Sequence, residues 1–184
     1  MSARAILLCA LAGSWPLSTA AAVSFIRGDT DANGSIDVSD AVGIFNYLFL
    51  SGEEPPCLRA ADTNDSEAVD ITDGIYILTY LFLGGAAPPA PFPECGRHPA
   101  LPDLPCLHFE ACRAVDEEAC RAAGGTVEVD LCCGAVGDFT NLCVVGPCSC
   151  PPGWSHEVQL CECGEGLCWD GTECVESPFP GGGD

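Results

Sequence analysis

Two stretches of this chain repeat each other. GSIDVSDAVGIFNYLFLSG (residues 34–52) aligns with EAVDITDGIYILTYLFLGG (67–85) at an offset of 33 residues. Ile36 matches Val69, Asp37 matches Asp70, Asp40 matches Asp73, and YLFL recurs unchanged. Each unit is an acidic loop, then an apolar run, then Gly and a Pro pair (Pro55 and Pro56, Pro88 and Pro89). Neither run can bury its apolar residues alone, so the two units must pack on each other or on something else. Gly and Pro after each run are stop signals for a helix. The runs therefore read as two helices of about three turns, with Ser39 and Thr72 as N-cap residues and Asp40 and Asp73 facing the positive helix ends.

The loops carry ligand spacing. With Asp29 as position 1, Asp31 is 3, Asn33 is 5, Gly34 is 6, Ser35 is 7, Asp37 is 9 and Asp40 is 12. This is the oxygen spacing of an EF-hand loop, with Gly at the sharp turn and an apolar residue, Ile36, at position 8. Calcium is a hard cation that takes six to eight oxygens in flexible geometry, and such a loop wraps one ion. The second loop repeats the pattern with Asp62, Asn64, Ser66, Asp70 and Asp73 at positions 1, 3, 5, 9 and 12, and Ala68 lending its carbonyl. Two departures stand out. Position 12 is Asp in both loops where Glu is usual, which draws the helix start closer to the ion. Position 6 of the second loop is Glu67, at a cost of about 1–2 kcal/mol in a left-handed conformation. The first loop has four Asp ligands and the second three, so two Ca²⁺ sites are expected, the first tighter, in the range of roughly 10⁻⁴–10⁻³ M seen for extracellular modules. Asp, Asn, Gly and Ser are also ordinary turn residues. Recurrence at a fixed offset, each time before the same apolar run, favours ion sites over solvated turns. Asn33-Gly-Ser and Asn64-Asp-Ser have the glycosylation pattern, but sugar there would destroy a ligand, so both are read as coincidences of loop composition.

Charge and cysteine content fix the setting. The net charge is −21, from 27 acidic residues against six Arg. That excludes phosphate backbones and anionic membrane surfaces as partners. With 48% hydrophobic residues the chain packs rather than staying disordered. Fifteen Cys indicate an oxidising compartment and a disulfide framework. Arg4, the apolar stretch 5–17 and an A-x-A ending at Ala22 read as a secretion signal. No later stretch is long and apolar enough for a membrane anchor.

Tandem loop–helix repeats with Asp at position 12 resemble type I dockerins, in the divergent form of planctomycete-type repeats. The resemblance covers about residues 25–95 and rests on the two acidic loops and the YLFL helices. It implies a calcium-stabilised pair of units related by a pseudo-two-fold, and a cohesin-like partner through which secreted polysaccharide-degrading enzymes are attached to a scaffold. In that family the partner meets loop positions 10 and 11 and the helix behind them. The matching residues are Val38, Ser39, Ile71 and Thr72, then Phe45, Asn46, Leu78 and Thr79. Cellulosomal examples carry Lys or Arg on that helix; this chain has none there, which argues against a cellulosomal cohesin.

Both helices are apolar nearly all round, and a helix pair hides only one face of each. The rest must meet the linker, the Cys-rich part or another protein. Within 106–175, DEEACRAAGG suggests a short helix ended by Gly124 and Gly125, and TVEVDLCC a strand. Disulfides are favoured over zinc, because the CSC and CEC spacings and a scarcity of His do not suit a zinc site. Cys57 and Cys95 flank the second unit and could clamp it, with Cys106 a competing partner for either. Trp154, Trp169 and Phe139 are either core residues or a carbohydrate-stacking surface. His156 beside Glu157 has no nucleophile near it in sequence, and no region outside the loops and the disulfide module can build a glycosidase cleft with two opposed carboxylates. A binding protein is expected, not an enzyme.

The expected fold is a small, mainly-α, dockerin-like pair of EF-hand-type loop–helix repeats, followed by a disulfide-rich, loop-rich C-terminal module with little regular structure. The expected organisation is a signal peptide over 1–22, the repeat over 23–95, a Pro-rich linker over 96–105, the Cys-rich module over 106–175 and a disordered tail over 176–184.

Overall fold

The computed structural model describes residues 23–98, 104–133, 136–146, 148 and 153–179. The expected signal peptide, the centre of the linker and the last residues of the tail lie outside them. The element order is α1 (Val38–Phe49), α2 (Leu58–Ala61), α3 (Ile71–Leu83), a 3₁₀ turn (Glu110–Cys112), α4 (Arg113–Ala122), β1 (Thr126–Cys133), α5 (Leu142–Val145), β2 (Ser155–Glu162), β3 (Leu167–Trp169) and β4 (Cys174–Glu176).

The two repeat helices form and pack together. Ala41 and Ile44 of α1 meet Ile77 of α3 and Ala61 of α2 in one fully buried cluster. Gly74 lets α1 approach, for a Cβ there would strike the Phe45 ring. Each cap lies two residues before the expected one. Asp37 and Asp70 are the N-caps, and Asp40 and Asp73 accept from the cap amides, completing two capping boxes. Ser39 and Thr72 sit inside the first turn and donate their hydroxyls to the cap carboxylates. An aspartate outcompetes a hydroxyl as the cap because its charge also faces the positive helix end.

A mainly-α protein with an irregular C-terminal part is overturned by the sheets. β1 and β2 pair antiparallel over eight residues, from Thr126 opposite Glu162 to Cys133 opposite Ser155. β3 and β4 form a second antiparallel pair. The fold is mixed α/β. The first sheet buries Val158 and Leu160 against Phe139, Leu142 and Trp169. Trp169 is fully buried, and its indole N–H donates to the Phe139 carbonyl at 3.1 Å. Both rings are therefore core; of the three aromatics considered for sugar stacking, only Trp154 is exposed, at 81%.

Six disulfides join described cysteines: 57–106, 95–112, 120–161, 132–148, 143–168 and 163–174. Cys106 takes Cys57, and Cys95 goes to Cys112, so neither bond clamps the second unit on itself. Both instead tie the repeat region to the α4 region. Around them Val23, Phe25, Ile26 and Ala60 pack with Phe109 and Cys112 in a shared core, with Phe25 and Phe109 edge to face. Buried Asp116 of α4 completes the joint. It accepts from the Ser24 amide (3.0 Å) and hydroxyl (2.7 Å) and pairs with Arg97 at 2.9 Å. Six disulfides require an oxidising environment. No helix among the described residues is long and apolar enough to cross a membrane.

Candidate metal centres

The two loops fold alike, and the same positions organise both. Asp29, at position 1, accepts from the Asn33 and Gly34 amides at 3.1 and 2.8 Å. Asp62 does the same for Ser66 and Glu67 at 2.8 and 2.9 Å. At position 12, Asp40 accepts from the Thr30 and Asp37 amides, and Asp73 from Asn64 and Asp70. These four aspartates are all but fully buried. Positions 4 and 6 are left-handed in both loops: Ala32 and Gly34 at φ 57° and 93°, Asp65 and Glu67 at 61° and 69°.

In the first loop Asp29, Asp31 and Asp40 each present an oxygen within 4.8 Å of the others. Oxygens bound to one Ca²⁺ at 2.3–2.6 Å lie at most about 5 Å apart, so these three are close enough to share one cation. Burial pushes the Asp29 carboxyl up to about 6. The Gly34 and Asn33 amides oppose the rise, and the Asp40 and Asp31 charges add to it. Burial raises Asp40 as well. Buried carboxylates this close together are strained unless a cation or a proton neutralises them.

The second loop has Asn64 at position 3. Its amide N–H donates to the Thr72 hydroxyl at 2.8 Å, which leaves its carbonyl Oδ1 buried without a donor. A buried oxygen with no partner is costly, and here it belongs to position 3, one of the expected ligand positions. Burial also pushes Asp73 up to about 6, reinforced by the Asp62 and Asp70 charges. The donor sets of both loops thus fit a hard cation.

Other expected ligands are engaged differently. Asp37 and Asp70 cap the helices, and bonds from Ser39 and Thr72 hold their carboxyls below the usual range. Asn33 accepts from the Ser35 amide with its side-chain oxygen, and the Ser66 hydroxyl donates to the Ala68 carbonyl. Of the expected partner-facing residues, Val38 and Ile71 are half exposed and Ser39 and Thr72 exposed, whereas Phe45 and Leu78 lie partly buried against the helix-pair core. Asn46 and Thr79 are partly covered, and their carbonyls accept from the chain beyond each helix.

Sequence reasoning missed Arg27. The residue is 1% exposed, and its guanidinium donates to the Asp62 carbonyl at 2.6 Å and pairs with Asp65 at 2.9 Å. It precedes the first loop but braces the second, a placement no local pattern signals. A fixed positive charge there opposes a cation in the second site.

His156 and Glu157 line a separate cleft of about 420 Å³ with His108, Asp138 and Gln159. Asp138 accepts from the Gln159 amide, and burial raises its carboxyl. Among the described residues no Ser, Thr, Cys, Lys or Tyr lines the cleft, so none there offers a nucleophile of those types.

Comparison with protein-family models, with curated proteins and with solved structures finds no match.

Proposed function

We propose that this chain is a secreted attachment protein in which each loop–helix unit binds one Ca²⁺ and the ion-organised helices dock another protein. The observation that carries the reading is the repeated geometry of positions 1 and 12. Two loops, 33 residues apart, each fold around a pair of buried aspartates with further oxygens at hand. In the first site Asp29, Asp31 and Asp40 would hold the ion; in the second Asp62, Asn64 and Asp73. The ion would supply the positive charge that lets these groups share a small volume while the trailing helices stay packed.

An attachment role draws on the outer faces of α1 and α3. Val38, Val42, Phe49 and Leu50 are about half exposed or more, and so are their repeat partners Ile71, Ile75, Phe82 and Leu83. The likeness to dockerin repeats supports a cohesin-like partner and a place in extracellular polysaccharide breakdown. A purely structural calcium and disulfide module would leave those apolar residues without a use.

Titration calorimetry of the oxidised chain, with and without chelator, tests the reading. Two calcium sites are expected, with the tighter one lost in Asp29→Ala/Asp40→Ala and the weaker one kept. No heat, with no change in helicity on chelation, would refute it.

A further inference from the structure

Besides the His156 cleft, the calcium reading leaves a second cavity unused. A groove of about 550 Å³ runs between the first loop, the outer side of α1 and segment 52–56. Asp31, Glu53 and Glu54 line it, and among the described residues no basic side chain does. The carboxyl end of α1, with no basic residue in its last turn, adds negative potential. Leu50, Pro55 and Pro56 give the groove apolar walls. Thr30, 3% exposed, also lines it, and its hydroxyl has no hydrogen-bond partner.

The second unit serves as an internal comparison. The counterparts of Glu53 and Glu54 are Ala86 and Ala87, while the Pro pair is kept. The counterpart of Thr30 is Thr63, whose hydroxyl donates to the Ala61 carbonyl at 3.2 Å. Charge and an unsatisfied hydroxyl therefore coincide in the first unit only. Nor do the described arginines reach the groove. Arg27 and Arg97 pair with Asp65 and Asp116, Arg113 and Arg121 with Glu110 and Glu117, and Arg59 donates to the Leu104 carbonyl.

We propose that this groove seats a basic side chain, arginine or lysine, of a partner protein. The inference rests on the reading that α1 faces a partner, and not on calcium occupancy. Glu53 and Glu54 would take the cationic head in charge-assisted bonds, the apolar walls would cover its stem, and the Thr30 hydroxyl would accept one of its N–H groups, while Asp31 stays with the ion. A bare metal ion would fill only a small part of so large a space.

The test is a titration of the full oxidised chain, in calcium, with a capped tri-arginine peptide, followed by backbone amide NMR shifts. Saturable shifts are expected at Thr30, Asn46 and Gly52. Glu53→Gln/Glu54→Gln should weaken binding about five- to tenfold. The charge-matched Glu118→Gln/Glu165→Gln, at positions away from the groove, should change it less than about twofold. Shifts scattered over the acidic surface, equal weakening by both double variants, or no saturable shift would overturn the proposal. The Gly34 and Glu67 amides report calcium separately in the same samples. A missing calcium response beside an intact groove response would count against the ion sites alone.

Discussion

Glu67 is the position where the second loop departs most from the first. Its φ of 69° puts a charged side chain where Gly34 stands at 93° in the first loop. The left-handed conformation costs an L-residue about 1–2 kcal/mol, part of which Gly gives back through the freer unfolded chain. Glu67→Gly is therefore expected to stabilise the protein by up to about 1 kcal/mol, read as a higher urea midpoint at unchanged slope. It should also tighten the weaker calcium site, because less of the binding energy goes into holding the turn. Asn64 gives a second expectation with a sign that reverses. Asn64→Asp copies Asp31 and puts a carboxylate where the orphaned amide oxygen stands, giving up the bond donated to Thr72. Without calcium it adds a third carboxylate beside buried Asp62 and Asp73 and should lower the melting temperature. With calcium it should raise the second site's affinity and leave the first unchanged, which calorimetry resolves as the two sites drawing together.

Loop and helix are one unit, because the carboxylate at position 12 is also the third residue of each helix. That coupling predicts an unusual dependence on pH. Asp29 and Asp73 sit at about 6 in the folded chain, above their ordinary 3.8, so the ion-free fold takes up protons and gains stability as pH falls through that range. Asp37 and Asp70 shift the other way, but their effect falls below pH 4. In chelator the melting temperature should rise from about pH 7.5 to about pH 5. In calcium it should fall over the same interval, since protons then displace the ion. A fall in chelator as steep as that in calcium would contradict the buried-carboxylate account. Helix packing gives a separate expectation at Gly74. Alanine favours a helix by about 1 kcal/mol, yet the Phe45 ring occupies the space its Cβ needs. Gly74→Ala should thus destabilise by about 1–3 kcal/mol, and adding Phe45→Leu should restore part of the loss. These units are legible in sequence because ligand spacing, apolar runs and stop signals are local. The cap reads two residues too late because the ligand role of Asp37 hides its helix role. β1 is legible in the alternation of Val127, Val129 and Leu131. β2 is not: SHEVQLCE has one β-branched residue, and only its partner strand makes it extended.

The same distinction between local and non-local information explains why the mixed α/β fold escapes a sequence reading. Even cysteine parity cannot say that Cys106 joins Cys57 rather than Cys95. The pairing decides how the protein holds together, for the 57–106 and 95–112 bonds both run between the repeat region and the segment leading into α4. The buried Asp116 cluster and the Phe25–Phe109 contact bind the same surfaces without covalent bonds. Cys57→Ser/Cys106→Ser opens a link across 49 residues, and chain entropy puts its loss at about 4 kcal/mol. If the shared core couples the two halves as its burial implies, calorimetry of this variant will show one transition, moved to lower temperature. Calcium will still raise that transition, because the loops lie on the same cooperative unit as β1 and β2. Two separate transitions, only one of them responsive to calcium, would mean that the 57–106 bond carries the coupling between the halves and that the buried joint contributes little. The groove beside α1 would then belong to a repeat that is stable by itself, and removing the C-terminal half would leave its affinity for arginine unchanged.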